Sequence, residues 1–254
     1  MKTGSDSRRC IERIIPWDLD TEAKAIALAE NPVNGGDPDA PTGKRLGLVK
    51  RKMWRSGRTL RVRFLDGIPF LREKVQQYAN EWTQHANLSF DFSGDPRAEI
   101  RVSFAFDPGS SWSALGTDAL VERHFPRHQP TMNFGWFDER TPEEELSRVI
   151  LHEFGHAIGC IHEHQNPAGG MKWNEAAVLA YFAGSPNFWD EATIRFNILD
   201  KYEMAQLNGT TFDPDSIMLY SFPARLTENN AGTHENGRLS ATDIAFIKKM
   251  YPRP

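Results

Sequence analysis

The chain reads HEFGHAIGCIHE at residues 152–163, and this stretch decides the fold more than any other in the 254 residues. His152 and His156 stand four residues apart, a spacing that puts both imidazoles on one face of a helix about one turn apart. Gly159 can adopt the left-handed conformation that ends a helix, so the chain can turn and bring His162 to the same point. Three imidazoles predict a site for one metal ion with one open coordination position. Zinc is the expected metal, with cobalt or manganese as alternatives.

Glu153 lies beside the two helical histidines and indicates a catalytic metal site. Zinc lowers the pKa of a bound water toward ~7, and a nearby carboxylate can take the proton before the water attacks a polarised carbonyl. A structural zinc site does not need this acid and usually closes with a fourth protein ligand. We therefore expect Glu153 to be a general base. The alternative is a non-catalytic, zinc-stabilised protein-binding module in which the histidines only hold the fold.

The helix that carries these residues has a recognisable start. Residues 141–144 read TPEE, which predicts a threonine N-cap, a proline at the first helical position and a glutamate that closes a capping box. The helix then runs from Leu146 to Ile158. Gly155 inside it costs roughly 1 kcal/mol relative to alanine, so we expect a close packing contact there.

The segments before and after this helix differ in period. Alternating apolar residues predict strands in the first half, and helical spacing predicts a packing helix between two of them. The second half has helical spacing and irregular stretches. The predicted strands are Leu60–Phe64, Leu88–Phe92, Ile100–Phe106 and Thr131–Phe137, and the predicted helices are Leu19–Glu30, Pro69–Ala86, Asn174–Phe182, Asp190–Tyr202 and one that opens at Ser240 and Asp243.

Residues 152–163 resemble the extended zinc motif of the metzincins, and Glu163, directly after the third histidine, resembles the astacin branch. Residues 216–220 read SIMLY and are similar to the Met-turn of that family. The strand and helix pattern of Leu60–Phe137 and the closing helix of Leu239–Tyr251 extend the likeness over residues 58–254.

The resemblance implies an α+β zinc metalloendopeptidase that cleaves internal peptide bonds. Its upper part, about residues 58–165, would hold a mixed sheet, a packing helix and the zinc helix. Its lower part, about residues 166–254, would be mainly helical or irregular, with the cleft between the two. One zinc ion would bind His152, His156 and His162.

The resemblance also assigns roles to two residues of the SIMLY stretch. Met218 would form a hydrophobic floor under the imidazoles, and Tyr220 would ligate zinc or bond the oxyanion of the reaction. Residues 110–113 lie where the family places the upper rim of the cleft, to which substrates add as an extended strand. An exposed loop anchored by Trp112 is the alternative for that segment.

Residues 1–57 form a leader-like segment and a linker, a candidate pro-segment ahead of the catalytic domain. The stretch Asn31–Gly43 is dense in turn residues and predicts a linker or surface loop. Cys10 follows two arginines, a setting that favours the thiolate, and a thiolate is an excellent zinc ligand. Our hypothesis is a cysteine switch in which Cys10 caps the open metal position; the alternative is a stray thiol. Cys160 is expected to be buried and inert, with a Cys10–Cys160 bridge left open.

The composition excludes several classes of partner. Lysine plus arginine number 30 and aspartate plus glutamate 34, so the net charge of −4 gives no nucleic-acid footprint. No apolar run reaches membrane-spanning length, and the first residues lack the apolar stretch of a secretory signal. We expect a monomer that acts on a protein or peptide substrate, in a compartment that the sequence does not identify.

Overall fold

A five-stranded mixed sheet forms the upper layer of the protein. The computed structural model describes residues 10, 11, 13, 15–35, 52–166, 171–185, 187–200 and 212–254. The strands are β1 (Thr59–Phe64), β2 (Ser89–Asp91), β3 (Ile100–Ser103), β4 (Ser111–Ser113) and β5 (Met132–Phe134). They lie in the order β2-β1-β3-β5-β4, with β4 antiparallel to β5 at one edge and the other neighbours parallel. The mixed sheet that we expected is confirmed.

Six α-helices complete the described fold. They are α1 (Asp20–Glu30), α2 (Pro69–Thr83), α3 (Glu143–Ala157), α4 (Glu175–Ala183), α5 (Glu191–Ile194) and α6 (Ala241–Met250), and a π-helical turn at Arg195–Leu199 follows α5. All five strands precede α3, and the described regular structure after it is helical. The predicted α+β class is therefore confirmed. None of the helices in the described ranges has both the length and the apolar character needed to cross a bilayer.

The core lies where α2 packs on α3, with the sheet beside them. Every residue from 149 to 157 of α3 is buried, so this helix contacts protein on all sides over its last turns. Two tryptophans hold it in place. Trp82 of α2 donates its indole N–H to the Leu151 carbonyl at 2.9 Å, and Trp54 donates to the Ala157 carbonyl at 2.8 Å. Burial of large side chains such as these contributes about 1.5–3 kcal/mol each.

The start of α3 differs from the sequence prediction. Glu143 is the first helical residue, Pro142 precedes it, and no side chain caps the helix. The predicted threonine cap is wrong because the Thr141 hydroxyl accepts the Asp138 amide at 2.9 Å in the preceding turn. Three consecutive glutamates occupy the first turn instead, where negative charge stabilises the positive end of the helix dipole.

The first residues of the stretch predicted as a linker or surface loop are tightly held. Pro32–Gly35 forms a 3-10 turn in which Asn34 is buried. The Asn34 amide donates to the carbonyls of Ala27 at 2.7 Å and Met53 at 2.9 Å, and its oxygen accepts the Met53 N–H at 3.0 Å. An asparagine that acts as both donor and acceptor here ties α1 to the residues before β1. Residues 36–43 of the stretch lie outside the described residues.

Several elements end earlier than predicted, such as β5, which ends at Phe134 rather than Phe137. The strand from Ile100 ends at Ser103, because the side chain of Asp66 takes the Phe104 N–H at 2.7 Å and leads the chain away from the sheet. The helix from Asp190 gives way after Ile194 to the π-helical turn, and residues 201–211 lie outside the described part.

The phenol of Tyr251 joins the end of the chain to the end of α3. Replacing Tyr251 therefore tests the fold. It donates to the Ile158 carbonyl at 2.7 Å and accepts the Trp54 N–H at 3.2 Å, and the residue is fully buried. The Tyr251→Phe variant leaves both backbone groups without this partner, so we expect it to lower the free energy of unfolding by about 1–3 kcal/mol. Urea denaturation measures the change, and Tyr181→Phe, at a half-buried phenol, is the matched control. Equal loss in both variants would contradict the role of Tyr251.

Candidate active site

Three histidine side chains converge in the interior of the protein. The Nε2 atom of His156 lies 3.1 Å from the Nε2 atoms of both His152 and His162. The three rings are buried, and their ligand atoms all fall within 4.8 Å of one another. A tetrahedral zinc ion with bonds of about 2.0–2.1 Å holds its nitrogen ligands roughly 3.3 Å apart. The observed spacing therefore fits one ion of that size.

The outer nitrogens of the same rings determine which proton each ring carries. His152 Nδ1 lies 2.9 Å from the Ile217 carbonyl oxygen, and His156 Nδ1 lies 2.8 Å from that of Cys160. A carbonyl only accepts, so each Nδ1 carries the proton and each Nε2 presents a lone pair. Two lone pairs that face each other at 3.1 Å repel unless a cation lies between them. The donor set thus fits a metal on its own chemistry.

Burial keeps these imidazoles neutral, as metal ligation requires. Burial lowers the pKa of His156 to about 4. It also lowers the pKa values of His152 and His162 well below the usual range, and the charge that His156 would carry adds to the effect in both. The third ring is oriented by Gln165, whose side-chain oxygen lies 3.3 Å from His162 Nδ1.

Two glycines shape the backbone around the histidines. Gly159 has φ +99°, which confirms the left-handed turn after the helix. Gly155 faces Met218 so closely that an added Cβ would lie 2.4 Å from the Met218 sulfur and 3.2 Å from the Trp82 ring. The close contact predicted for Gly155 is confirmed, and its partner is the methionine of the SIMLY stretch.

Asp243 of α6 holds the turn that contains Met218. Its carboxylate accepts the Ser216 hydroxyl at 2.7 Å and the Ile217 N–H at 2.9 Å. The Met218 N–H donates to the Ser216 hydroxyl oxygen at 3.1 Å, and the Met218 carbonyl accepts the Glu163 N–H at 3.0 Å. The sequence identified Asp243 only as part of a helix cap, which it also forms with Ser240. Its second role could not be read from local spacing.

Glu153 lies next to the histidine cluster with its carboxylate fully buried. Neither oxygen has a hydrogen-bond partner that meets normal geometry among the described residues. Burial raises the pKa of Glu153 to about 8, against the opposing effects of the nearby Cys10 thiol and the Arg148 charge. A buried carboxylate without a strong partner is costly for folding, and such groups are concentrated at reactive sites.

Tyr220 closes the other side of the cluster. Its hydroxyl donates to the Cys10 backbone carbonyl at 2.6 Å, and the same oxygen lies 2.5 Å from His162 Nε2. Its ring lies against those of His152 and His162, with centroids 5.4 and 4.4 Å away. The phenol thus sits between the histidine cluster and a peptide carbonyl.

The N-terminal segment lies on the edge strand β4. Cys10 and Arg13 pair in parallel with Ser111 and Ala114, and the Ile11 N–H donates to the Ser111 carbonyl at 3.0 Å. Residues 111–113, for which an exposed loop was the alternative, are therefore a buried strand that can pair with an added peptide.

Cys10 itself is buried between Glu153 and Tyr220. Burial, and then the charge of Glu153, raise the pKa of its thiol well above the usual value. These two effects exceed the opposing effect of the nearby Arg148 charge. Arg8 and Arg9, on which the expectation of a thiolate rested, lie outside the described residues, so that expectation stays a prediction. Cys10 and Cys160 are both free thiols, so they form no bridge.

Two charged residues near the cluster were not predicted as site residues. Arg148 lies one turn before His152 on α3, and its guanidinium donates to both oxygens of Glu145 at 2.8 Å. Glu163 accepts the Asp213 N–H at 3.0 Å and the Asn166 amide at 3.1 Å, and burial raises its pKa to about 7. The four-residue spacing of Arg148 from His152 was the signal that could have placed it near the metal ligands.

Comparison with known proteins places the chain among zinc proteases. The solved structure of myroilysin aligns with a TM-score of 0.78 at 42% identity, over 82% of this chain and 98% of that one. Serralysin B of Dickeya chrysanthemi is 24% identical over 163 residues, and zinc metalloproteinase nas-38 of Caenorhabditis elegans is 26% identical over 151 residues. These matches cover 61% and 59% of this chain but only 31% and 18% of those two proteins. No family model matches the chain.

The contact between Gly155 and Met218 provides a test of how the metal site is packed. In Gly155→Ala the new methyl group overlaps the Met218 sulfur, and we expect a loss of about 1–3 kcal/mol in the free energy of unfolding. This loss opposes the usual gain from alanine in a helix. In a Met218→Ala background the same change should cost clearly less, because the sulfur is gone and only the contact with the Trp82 ring remains. Chemical denaturation of the four proteins measures the coupling. Gly184→Ala, where an added Cβ finds its nearest atoms at 3.6 Å, is the control.

Proposed function

The chain belongs to the astacin-like metzincins, and on this premise we propose that it hydrolyses internal peptide bonds of proteins with one catalytic zinc ion. The observation that carries the proposal is the convergence of three neutral imidazoles beside a buried carboxylate that has no strong partner. We assign His152, His156 and His162 as the metal ligands. Bound zinc supplies Lewis acidity, which polarises a carbonyl and makes a water molecule easier to deprotonate.

Glu153 is the general base of the proposed reaction. Burial raises the pKa of Glu153 to about 8, which favours the protonated form, and a nearby cation would favour the charged form. The carboxylate takes a proton from the attacking water and returns it to the leaving amine. The buried, weakly partnered carboxylate also argues against the alternative of a non-catalytic binding module, since a structural site gains nothing from it.

Tyr220 is the proposed oxyanion donor. In the structure its hydroxyl already donates to a backbone carbonyl, that of Cys10, in a segment paired with β4 as an extra strand. A substrate peptide that pairs with β4 would present its own carbonyl to the same hydroxyl. A donor placed where negative charge develops is worth about 2.7–4 kcal/mol in comparable hydrolases. Met218, fixed by the Asp243 contacts, is proposed as the floor beneath the imidazoles.

The proposed division of the chain is a catalytic domain over residues 58–254 and a pro-segment before it. Its support is that Cys10, Ile11 and Arg13 occupy the edge of β4, so a substrate strand and this segment would compete for the same backbone groups. We propose a protein or peptide substrate that binds to a monomer of the protease in an extended conformation.

Cys10 is proposed to keep the protease latent. Its thiol faces Glu153, and its backbone carbonyl accepts the hydrogen bond of the Tyr220 hydroxyl. Cys10 therefore blocks both groups that the proposed reaction needs. A metal ion at the three histidines would favour the thiolate, which is a strong zinc ligand, in spite of the burial. The function proposed for the segment is therefore inhibition by direct occupation of the site.

Replacement of Cys10 tests the proposed latency. We expect Cys10→Ala to cleave casein at least about tenfold faster than the unchanged chain, because one ligand for the open metal position is lost. X-ray absorption of the zinc protein should show a sulfur ligand in the unchanged chain and none in the variant. Cys160→Ala, at the other buried thiol, should alter neither result. Equal cleavage together with an unchanged metal spectrum would contradict the switch.

Replacement of Glu153 tests the proposed chemistry. In the Cys10→Ala background, Glu153→Gln should lower the cleavage rate about 10²–10⁴-fold, the usual contribution of general acid–base catalysis. One equivalent of zinc should remain bound, because the histidines are unchanged. Mass spectrometry of casein fragments, with and without a zinc chelator, gives the rate. Glu144→Gln, on the exposed first turn of the same helix, is the control. Cleavage that survives both Glu153→Gln and the chelator would sink the proposal.

A further inference from the structure

The ring of Trp112 in β4 and the carboxylate of Asp107, which precedes β4, lie side by side and together hold one side chain. We call the place between them the Trp112–Asp107 pocket. The Trp112 indole N–H donates to Asp107 Oδ2 at 3.2 Å, which holds the carboxylate beside the ring. Phe106 and Phe125 pack around the indole, with ring centroids 6.2 and 6.4 Å away. The pocket therefore has a rigid aromatic wall and one fixed negative charge.

The protein's own Arg13 occupies this pocket. The Arg13 Nη2 atom donates to Asp107 Oδ2 at 2.9 Å, and the guanidinium carbon lies 4.5 Å above the centre of the Trp112 ring. An ion pair and a cation–π contact thus act on the same side chain. The Arg13 and Asp107 side chains are 40% and 34% exposed, so the pocket is open to solvent on one side.

A neighbouring histidine does not oppose a cation in the pocket. Burial, and then the charge of Arg13, lower the pKa of His124, whose ring packs on Phe125 at 4.5 Å. His124 is therefore neutral at pH 7, and the carboxylate of Asp107 is free to attract a cation.

The pocket lies at a defined distance from the reacting groups. Arg13 is three residues beyond Cys10, whose carbonyl binds the Tyr220 hydroxyl. Three residues of extended chain span about 10 Å. A peptide on the same edge that presents its scissile carbonyl to Tyr220 therefore brings a residue two to four positions away to the pocket.

We propose that the Trp112–Asp107 pocket is a substrate subsite that selects an arginine or lysine side chain two to four residues from the scissile bond. The proposal rests on the proposed function, because a substrate strand must replace Cys10, Ile11 and Arg13 on β4. Once Arg13 leaves, the bare carboxylate and the ring face are the surfaces that a cationic side chain fits. Arginine is preferred to lysine, because its planar group stacks on the ring while it bonds the carboxylate.

A positional scan of peptides tests this subsite. The Cys10→Ala/Arg13→Ala protein is given fluorogenic peptides built around the casein bond that it cleaves fastest, with one arginine moved through four positions on each side. We expect arginine at one position, two to four residues from the bond, to raise kcat/KM about tenfold over glutamine, which corresponds to ~1.4 kcal/mol. In Asp107→Asn this ratio should fall to about one, and in Asp107→Lys glutamate should become the preferred residue. Asp215→Asn, at an exposed carboxylate, should keep the original ratio.

The same peptides separate failure of the subsite from failure of the protease. Cleavage of every peptide at one rate, or an arginine preference that Asp107→Asn leaves unchanged, would overturn the subsite and leave the protease intact. If no peptide is cleaved, the proposed function fails. A binding measurement then tests whether the pocket prefers arginine. The Cys10→Ala/Arg13→Ala/Glu153→Gln protein is then titrated with the labelled arginine and glutamate peptides by fluorescence anisotropy. An arginine preference that Asp107→Asn removes supports the pocket, and equal affinity overturns it.

Discussion

The three imidazole nitrogens that face one another are the constraint on which the rest of the structure depends. Each outer nitrogen of His152 and His156 is bound to a carbonyl oxygen, so the inner nitrogens present lone pairs at a separation of 3.1 Å. This arrangement is unfavourable without a cation, and it persists because the surrounding protein holds each ring. The left-handed turn at Gly159 and the carbonyl groups that bind the rings together form a preformed position for a metal ion.

The turn that contains Met218, beside the three histidines, is held by a distant part of the chain. Asp243 lies on the last helix, yet its carboxylate binds Ser216 and the backbone of Ile217, and the turn that they form presses Met218 against Gly155. A larger residue at position 155 would meet that sulfur at once. Gly155 on α3 leaves the space that the Met218 sulfur fills, so the two residues depend on each other. The geometry of the three histidines is therefore coupled to the fold of the second half of the chain.

The edge of β4 is the place beside the active site where an extended peptide can pair. An unpaired strand edge readily accepts another extended chain. Here Cys10, Ile11 and Arg13 take that place, with the Cys10 carbonyl on Tyr220 and the Arg13 guanidinium in the Trp112–Asp107 pocket. Under the proposed function, this one segment blocks the reacting groups and also shows the kind of peptide that the edge can hold. Inhibition and substrate recognition would then use the same backbone groups and the same pocket.

The sequence by itself determined the local parts of this protein. The spacing of His152 and His156 on a helix, the turn at Gly159 and the strand and helix order follow from backbone periodicity, which acts over a few residues. The tertiary structure alone decided which distant groups meet these parts: the carbonyl of Cys10 at Tyr220, the carboxylate of Asp243 beneath the metal ligands, and the pairing of Arg13 with Asp107. The Cys10 contact spans 210 residues. Contacts of this kind depend on how the whole set of helices and strands packs together, and no single stretch of sequence encodes that packing.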